Sequence, residues 1–343
     1  MSEEIKRGRG RPKKVKPANS FGPKGIKCSE LLDIVYLRPE NALYYSIHNV
    51  SPASEYKIRA LVSNHILPFF EKYYVADLSI ENVSSFRSYM EKNNLSRKYQ
   101  ADIYTYTKAA FSMVNDIDTS RIYRNPFSSK AIAPIRINST QSRYAAFTFE
   151  DIKALFSKKW DNYLVQAFSL FCAYTGCRPN EVISLTPEDF NICDDYVEVT
   201  INKNWNVYLK ANKDTKTEAG NRIVVLPRKV FNHLKNFMFW EKGKLCFSSD
   251  GETHLYYRYY TKFLNLAMKE NGVQDYEKRH LVMYSFRPFY KSYTSDKLSP
   301  ELSNFVMGHA EKAIGDRYWH YQSNLHAPIL VEAVKDLPIT NCC

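Results

Sequence analysis

The sequence predicts a mainly α chain with a small β-sheet (α+β), arranged as two domains, and three patterns predict it. Residues 28–123 hold amphipathic stretches at helical spacing and no strand-like run. A stretch with Pro and Ser but no sustained period, "RNPFSSKAIAPIRINSTQSR", follows from Arg124 to Arg143 and reads as a linker. Beyond it, two short β-branched runs, "YVEVTI" and "NRIVVLP", stand among further helical patterns. A length of 343 residues suits two domains of ordinary size, and 44% hydrophobic content is enough for two cores.

Taken in order, residues 1–27 are poor in apolar side chains and rich in Lys, Arg, Gly and Pro, the composition of a disordered tail. Nine Lys/Arg against two Glu give the tail +7 of the chain's net +12. A balance this basic points to an anionic partner. Within the tail, Arg9-Gly10-Arg11-Pro12 followed by Lys13 and Lys14 resembles an AT-hook, in which an extended Arg-Gly-Arg enters a narrow, strongly negative minor groove. A generic basic arm gripping phosphates accounts for the same residues equally well. Residues 28–123 form the helical first domain. "ASEYKIRALVSNHILPFFEKYY" has helical periodicity, interrupted at Pro68. "LSIENVSSFRSYMEKN" and "SRKYQADIYTYTKAAFSMVND" are two further amphipathic helices. The linker is placed at 124–145 and the domain boundary near residue 140. The second domain, 146–326, opens on a capping-box pattern from Thr148 to Asp151. "NYLVQAFSLFCAYTG" is apolar on nearly every face, as a buried helix is. The two strand-like runs flank a basic, hairpin-like stretch near residues 196–226. "APILVEAVKDL", Ala327–Leu337, is a short amphipathic helix opening a C-terminal segment at 327–343.

Several chemistries find no support. HExxH, P-loop and GxGxxG motifs are missing, so neither a zinc ion nor a nucleotide cofactor is expected. The seven Cys are odd in number and form no CxxC, which fits a reducing compartment rather than a disulfide framework. The charged start lacks the apolar core of a secretory signal, and no apolar run reaches membrane-spanning length. The expected location is the cytoplasm and nucleoid, or a host nucleus.

Four stretches carry the candidate chemistry. In "YTGCRPNEVISLTPEDF", Arg178 sits where an apolar helix ends, and burying a lone guanidinium is costly. Glu181, three residues on, stands at helical spacing to pair with it. That pair is either a structural ion pair or a way of holding a forked cation toward a phosphate. Lys216 lies in "KDTKTEAGNRIVVLP", at a polar turn between the strand-like runs, with Lys213 close by. Arg287 lies amid aromatics in "MYSFRPFYKSY". "GHAEKAIGDRYWHY" supplies His309, then Tyr318 nine residues later and Tyr321 after it. With 26 Tyr in the chain, neither tyrosine is informative alone.

Together they are informative. The chain reads TGxRxxExxxLxxxD, then a Lys by a turn, an Arg, a GH pair and a Tyr at fixed distance. Over about residues 30–330 this resembles the tyrosine recombinase (phage integrase) family. The resemblance implies a SAM-like core-binding domain followed by an integrase-type catalytic domain with a small antiparallel sheet. It implies Arg178 and Arg287 as the two catalytic arginines, with Glu181 supporting the first. Lys216 is implied as general acid, with Lys213 as its rival, His309 as a further donor and Tyr318 as nucleophile. One position departs: where the family usually has His, this chain has Tyr284, whose phenol can donate a hydrogen bond but cannot become a cation. The implied activity is site-specific recombination through a 3′-phosphotyrosyl intermediate, with no cofactor. The implied partners are double-stranded DNA bearing a specific site and three further copies of the chain, with the C-terminal helix docking in trans or packing on its own domain. A type IB topoisomerase-like enzyme, or a non-catalytic DNA-binding protein with a decayed integrase fold, would share many of these residues.

Overall fold

The computed structural model of the chain describes residues 21–130, 132–136, 144–214, 220–309 and 320–338, with 213 and 214 given by backbone alone. Arg9, Arg11, Lys13, Lys14, Lys216 and Tyr318 lie outside the described residues. The chain divides into two compact units between Ser139 and Thr140.

The first unit is helical: α1 (Cys28–Leu32), α2 (Leu43–Ile47), α3 (Pro52–Leu61), α4 (Leu67–Phe70), α5 (Ile80–Lys92), α6 (Arg97–Ser112) and a short α7 (Val114–Ile117). Pro68 does not break its helix. A π-turn over Val62–Ile66 joins α3 to α4, so the chain stays helical up to the proline. Proline donates no N–H and crowds the carbonyl four residues back, and one wide turn absorbs both effects. The apolar stripes of these helices meet in an aromatic core. The Phe70 ring lies 4.8 Å from Phe86 and 5.5 Å from Phe111, and all three side chains are buried.

The expected linker is shorter than the sequence suggested. Phe127 is buried and stacks on Phe111 at 5.3 Å, and Asn125 caps a single turn over Pro126–Ser128. The lack of periodicity from Arg124 onward hid this plug, because one inserted aromatic has no period.

The second unit opens on α8 (Phe149–Leu155), capped as its sequence predicts. Thr148 Oγ1 accepts from the Asp151 N–H at 3.1 Å, and the Asp151 carboxylate accepts from the Thr148 N–H at 2.7 Å. Helix α9 (Tyr163–Thr175) is buried on all sides from Val165 to Thr175. It ends at Gly176, whose φ of +64° is left-handed and where a Cβ would lie 2.7 Å from the Tyr290 ring. The one-turn α10 (Pro179–Val182) follows. Strands β1 (Phe190–Ile192), β2 (Tyr196–Ile201) and β5 (Arg222–Pro227) form an antiparallel sheet in the order β1-β2-β5, with Val199 opposite Val224. The basic stretch between β2 and β5 is hairpin-like, as its sequence suggests. It holds its own two-stranded ribbon, β3 (Lys203–Asn206) and β4 (Ala211–Asp214). Helices α11 (Arg228–Lys235), α12 (Tyr257–Glu270), α13 (Phe286–Tyr293) and α14 (Pro300–Met307) complete the body. Helix α15 (Ser323–Ala333) begins ahead of the expected Ala327 and packs on β2 and β5 of its own unit. Ala327, Leu330, Val334 and Leu337 are buried there, and Tyr174 Oη donates to the Leu337 carbonyl at 2.6 Å.

Phe127→Ala should destabilise the first unit by about 3–5 kcal/mol, read from its urea midpoint, as removal of a buried aromatic does. A change under about 0.5 kcal/mol, typical of an exposed connector, would return residue 127 to the linker.

Candidate active site

The site starts where α9 stops. Gly176 turns the chain, and Arg178 becomes the residue ahead of α10, with Pro179 fixing the first turn. Glu181 points back, and its carboxylate accepts four hydrogen bonds. Oε1 takes Arg178 Nη1 at 2.8 Å and Arg222 Nη1 at 3.2 Å; Oε2 takes the Arg178 N–H and Arg222 Nη2, each at 2.8 Å. Four is about the accepting capacity of an ionised carboxylate. Burial raises its pKa, but the hydrogen bonds and charge of Arg222, then those of Arg178, outweigh burial and hold the group below its ordinary value.

Arg222 was missed by the sequence reading, although its signal was present. In a strand, alternate residues share a face. Arg222 therefore belongs with Val224 and Leu226, both fully buried. A charge at a core-facing position needs partners, and Arg222 has them for all its donors. Besides the fork on Glu181, Nε donates to the Val306 carbonyl at 2.6 Å, Nη1 to the Gly220 carbonyl at 3.2 Å and Nη2 to Cys177 Sγ at 3.7 Å. Its side chain is 0% exposed, whereas that of Arg178 is 34% exposed. The buried arginine therefore orients the carboxylate, and the carboxylate orients the arginine that faces solvent. Among the described residues, Nε and Nη2 of Arg178 have no protein acceptor.

Arg287 on α13 is buried and grips two helix ends. Nη1 donates to the Gly176 carbonyl at 2.9 Å, and Nη2 donates to the Met307 carbonyl. Carbonyls at a helix C-terminus lack intrahelical donors and carry partial negative charge, so a guanidinium suits them. Among the described residues Arg287 has no ion-pair partner. Burial, then the charges of Arg178 and Arg222, lower its pKa to about 10, so it stays protonated at neutral pH. Among the described residues, three guanidinium groups thus lie about one carboxylate, an excess of two positive charges.

Two more of the expected residues converge here. Tyr284, 39% exposed, lies in the turn before α13, close enough to act electrostatically on Arg287. His309 follows Gly308, which ends α14 at a φ of +57°. The His309 N–H donates to the Asn304 carbonyl at 3.1 Å, which fixes its backbone two residues beyond the carbonyl held by Arg287. Tyr321 is otherwise engaged: its hydroxyl donates to Glu198 Oε1 at 2.9 Å and its ring stacks on Phe305 at 5.2 Å. Burial and the Glu198 carboxylate push its pKa up, which disfavours a phenolate. Arg178, Glu181, Tyr284, Arg287 and the His309 backbone are brought together; Lys216 and Tyr318 are outside the described residues.

Glu181→Gln would leave Arg222 buried beside a neutral group, at a cost of about 3–5 kcal/mol in urea unfolding. The depressed pKa of Glu181 sets the pH window. Its contribution is complete above the unfolded value of about 4.3 and is lost as pH falls through the lower folded value. The stability gap between wild type and variant should therefore close below about pH 4. A gap constant with pH would show that the carboxylate's charge is not what matters.

No family model matches the sequence, and no curated protein matches it. Solved structures do. The Tn1549 transposon integrase in complex with transposon right end DNA superimposes with a TM-score of 0.62 at 15% identity, covering 87% of this chain and 96% of that one. A lambda integrase tetramer bound to a Holliday junction gives 0.61 at 13%, covering 92% and 85%. The XerH site-specific recombinase bound to palindromic difH substrate gives 0.57 at 14%, covering 77% and 79%. The chain has the fold shared by these tyrosine recombinases.

Proposed function

We propose that the protein is a site-specific DNA recombinase that cleaves and rejoins strands through a 3′-phosphotyrosyl intermediate. The observation that carries this reading is the guanidinium excess around Glu181. An Arg fork open to solvent beside a buried Arg that makes no ion pair among the described residues suits a doubly negative, trigonal-bipyramidal phosphorane. The similarity in fold to integrases solved on DNA supports it.

In the proposed reaction the Tyr318 phenol gives up its proton to solvent water and its oxygen bonds to a backbone phosphorus. The bond from phosphorus to the 5′-oxygen breaks. Lys216, or Lys213 in its place, passes a proton to that oxygen as it leaves as a 5′-hydroxyl. Arg178 and Arg287 hold the non-bridging oxygens, and His309 and Tyr284 add hydrogen bonds. Fixed donors of this kind are worth about 3–4 kcal/mol each in the transition state. The phosphotyrosyl bond keeps the energy of the broken diester, so the 5′-hydroxyl of a second strand can reverse the attack without ATP. Partners are duplex DNA with a recombination site and further copies of the chain, four on two sites. Arg9, Arg11, Lys13 and Lys14 add affinity through the minor groove or phosphates. The place of action is wherever that DNA resides, a nucleoid or a host nucleus.

A nicked suicide duplex carrying the cognate site tests this. Wild type and Tyr321→Phe should form a covalent adduct stable to denaturant, and Tyr318→Phe should form none. Arg178→Ala should slow adduct formation about 10²-fold or more. If wild type binds its site and traps nothing, the protein is a non-catalytic DNA-binding protein. Trapping by Tyr318→Phe but not by Tyr321→Phe would move the nucleophile to Tyr321.

A further inference from the structure

The β3–β4 ribbon is a weak element by its own composition. Asn204, Asn206 and Asn212 leave it polar on both faces, and a lone two-stranded ribbon is marginal in water. Among the described residues it pairs with no strand of the main sheet. Two side chains of β3 hold it instead. Lys203 and Trp205 are two apart and so share a face. Lys203 Nζ pairs with Asp189 at 2.7 Å, and the Trp205 indole stacks on the His254 imidazole with centroids 3.5 Å apart and planes 9° from parallel. Burial lowers the His254 pKa, so the ring is neutral at physiological pH. Its Nε2 is buried with no hydrogen-bond partner among the described residues. An unsatisfied buried nitrogen costs about 1–3 kcal/mol. Its retention points to the stack, rather than to a hydrogen bond, as what this side chain is for.

The position of the stack gives it a role. β3 packs against α10, the turn that carries Glu181. Lys203 is paired with Asp214, the last residue of β4, and Lys213 is paired with Asn204. Lys216, which lies outside the described residues, is two positions beyond Asp214 in the sequence. We infer that Trp205 and His254 are positioning residues: their stack clasps the ribbon beside α10 and so sets where the general-acid lysine meets the leaving 5′-oxygen. This rests on the phosphotyrosyl reading. Both residues act through the lysine arm, and neither touches the phosphate.

A sulfur substitution separates this role from general structural support. In a suicide duplex with a 5′-bridging phosphorothiolate, Tyr318 attacks phosphorus as before and the P–S bond breaks. The 5′-thiolate leaves without needing a proton, because its conjugate thiol has a pKa of about 8.5. Trp205→Ala and His254→Ala should slow cleavage of the ordinary duplex about 10- to 100-fold, the usual effect of a misplaced acid, and recover to near wild type on the sulfur duplex. Trp205→Phe and His254→Phe, which keep a stacked ring, should cleave both duplexes at nearly the wild-type rate. Thermal melts of each variant identify any that fail to fold, in which case the Phe pair decides. Equal losses on both duplexes, no loss on the ordinary one, or Phe variants as slow as Ala would each overturn the clasp. Lys216→Ala and Lys213→Ala are the reference: if sulfur rescues neither, the acid is not on this arm and the inference falls with that assignment. Wild type trapping neither duplex would instead remove the phosphotyrosyl reading itself.

Discussion

The Glu181 carboxylate accepts four hydrogen bonds in a nearly closed environment, two from each of two arginines. One of those arginines is fully buried and the other reaches solvent. The rest of the site depends on that difference. A salt bridge between exposed side chains is worth little and fixes little. Here the buried fork of Arg222 immobilises the carboxylate, and Arg178 inherits the rigidity without being buried itself. An arginine meant to meet a ligand keeps its free donors and still has a defined direction.

The same economy recurs at the helix ends. α9 and α14 both stop at a left-handed glycine, Gly176 and Gly308, and both leave carbonyls facing the site. Arg287 takes one carbonyl from each end, and Arg222 takes a third, that of Val306. The arginines thus tie α9, β5, α13 and α14 at one point. Polar groups that the chain had to satisfy anyway serve to locate two cations and the backbone of His309. Among the described residues the charge sum remains positive by two, and helix-end carbonyls cannot neutralise it, since they carry only fractional charge. In the proposed reaction an incoming phosphate supplies the missing negative charge.

Much of this was legible in the sequence where the determinant was local. The spacing of Arg178 and Glu181, the capping box at Thr148 and Asp151, the end of α9 at Gly176 and the strand character of β2 and β5 all follow from residues a few positions apart or from β-branched runs. What was not legible depends on partners far along the chain. Arg222 meets Glu181 across 41 residues and the Val306 carbonyl across 84. Phe127 joins the first core as a single inserted ring. The stretch holding β3 and β4 reads as hairpin-like, but polar residues on both faces leave no hydrophobic pattern to bound its strands. The wide turn before Pro68 is one of the ways a helix can absorb a proline, and the residue type does not say which. The packing of α15 on its own sheet turns on a surface that exists only once β2 and β5 are paired.

In the proposed reaction Arg178, aimed by Glu181, neutralises charge on a scissile phosphate. Replacing one non-bridging oxygen of that phosphate with methyl removes the charge Arg178 is there to meet. The decisive measurement is the cleavage rate of wild type and Arg178→Ala on matched phosphodiester and methylphosphonate suicide duplexes. Arg178→Ala should lose about 10²-fold or more on the phosphodiester, a loss that shrinks at least about tenfold on the methylphosphonate. Equal losses on the two duplexes would contradict it, because Arg178 would then be acting on something other than the phosphate's charge.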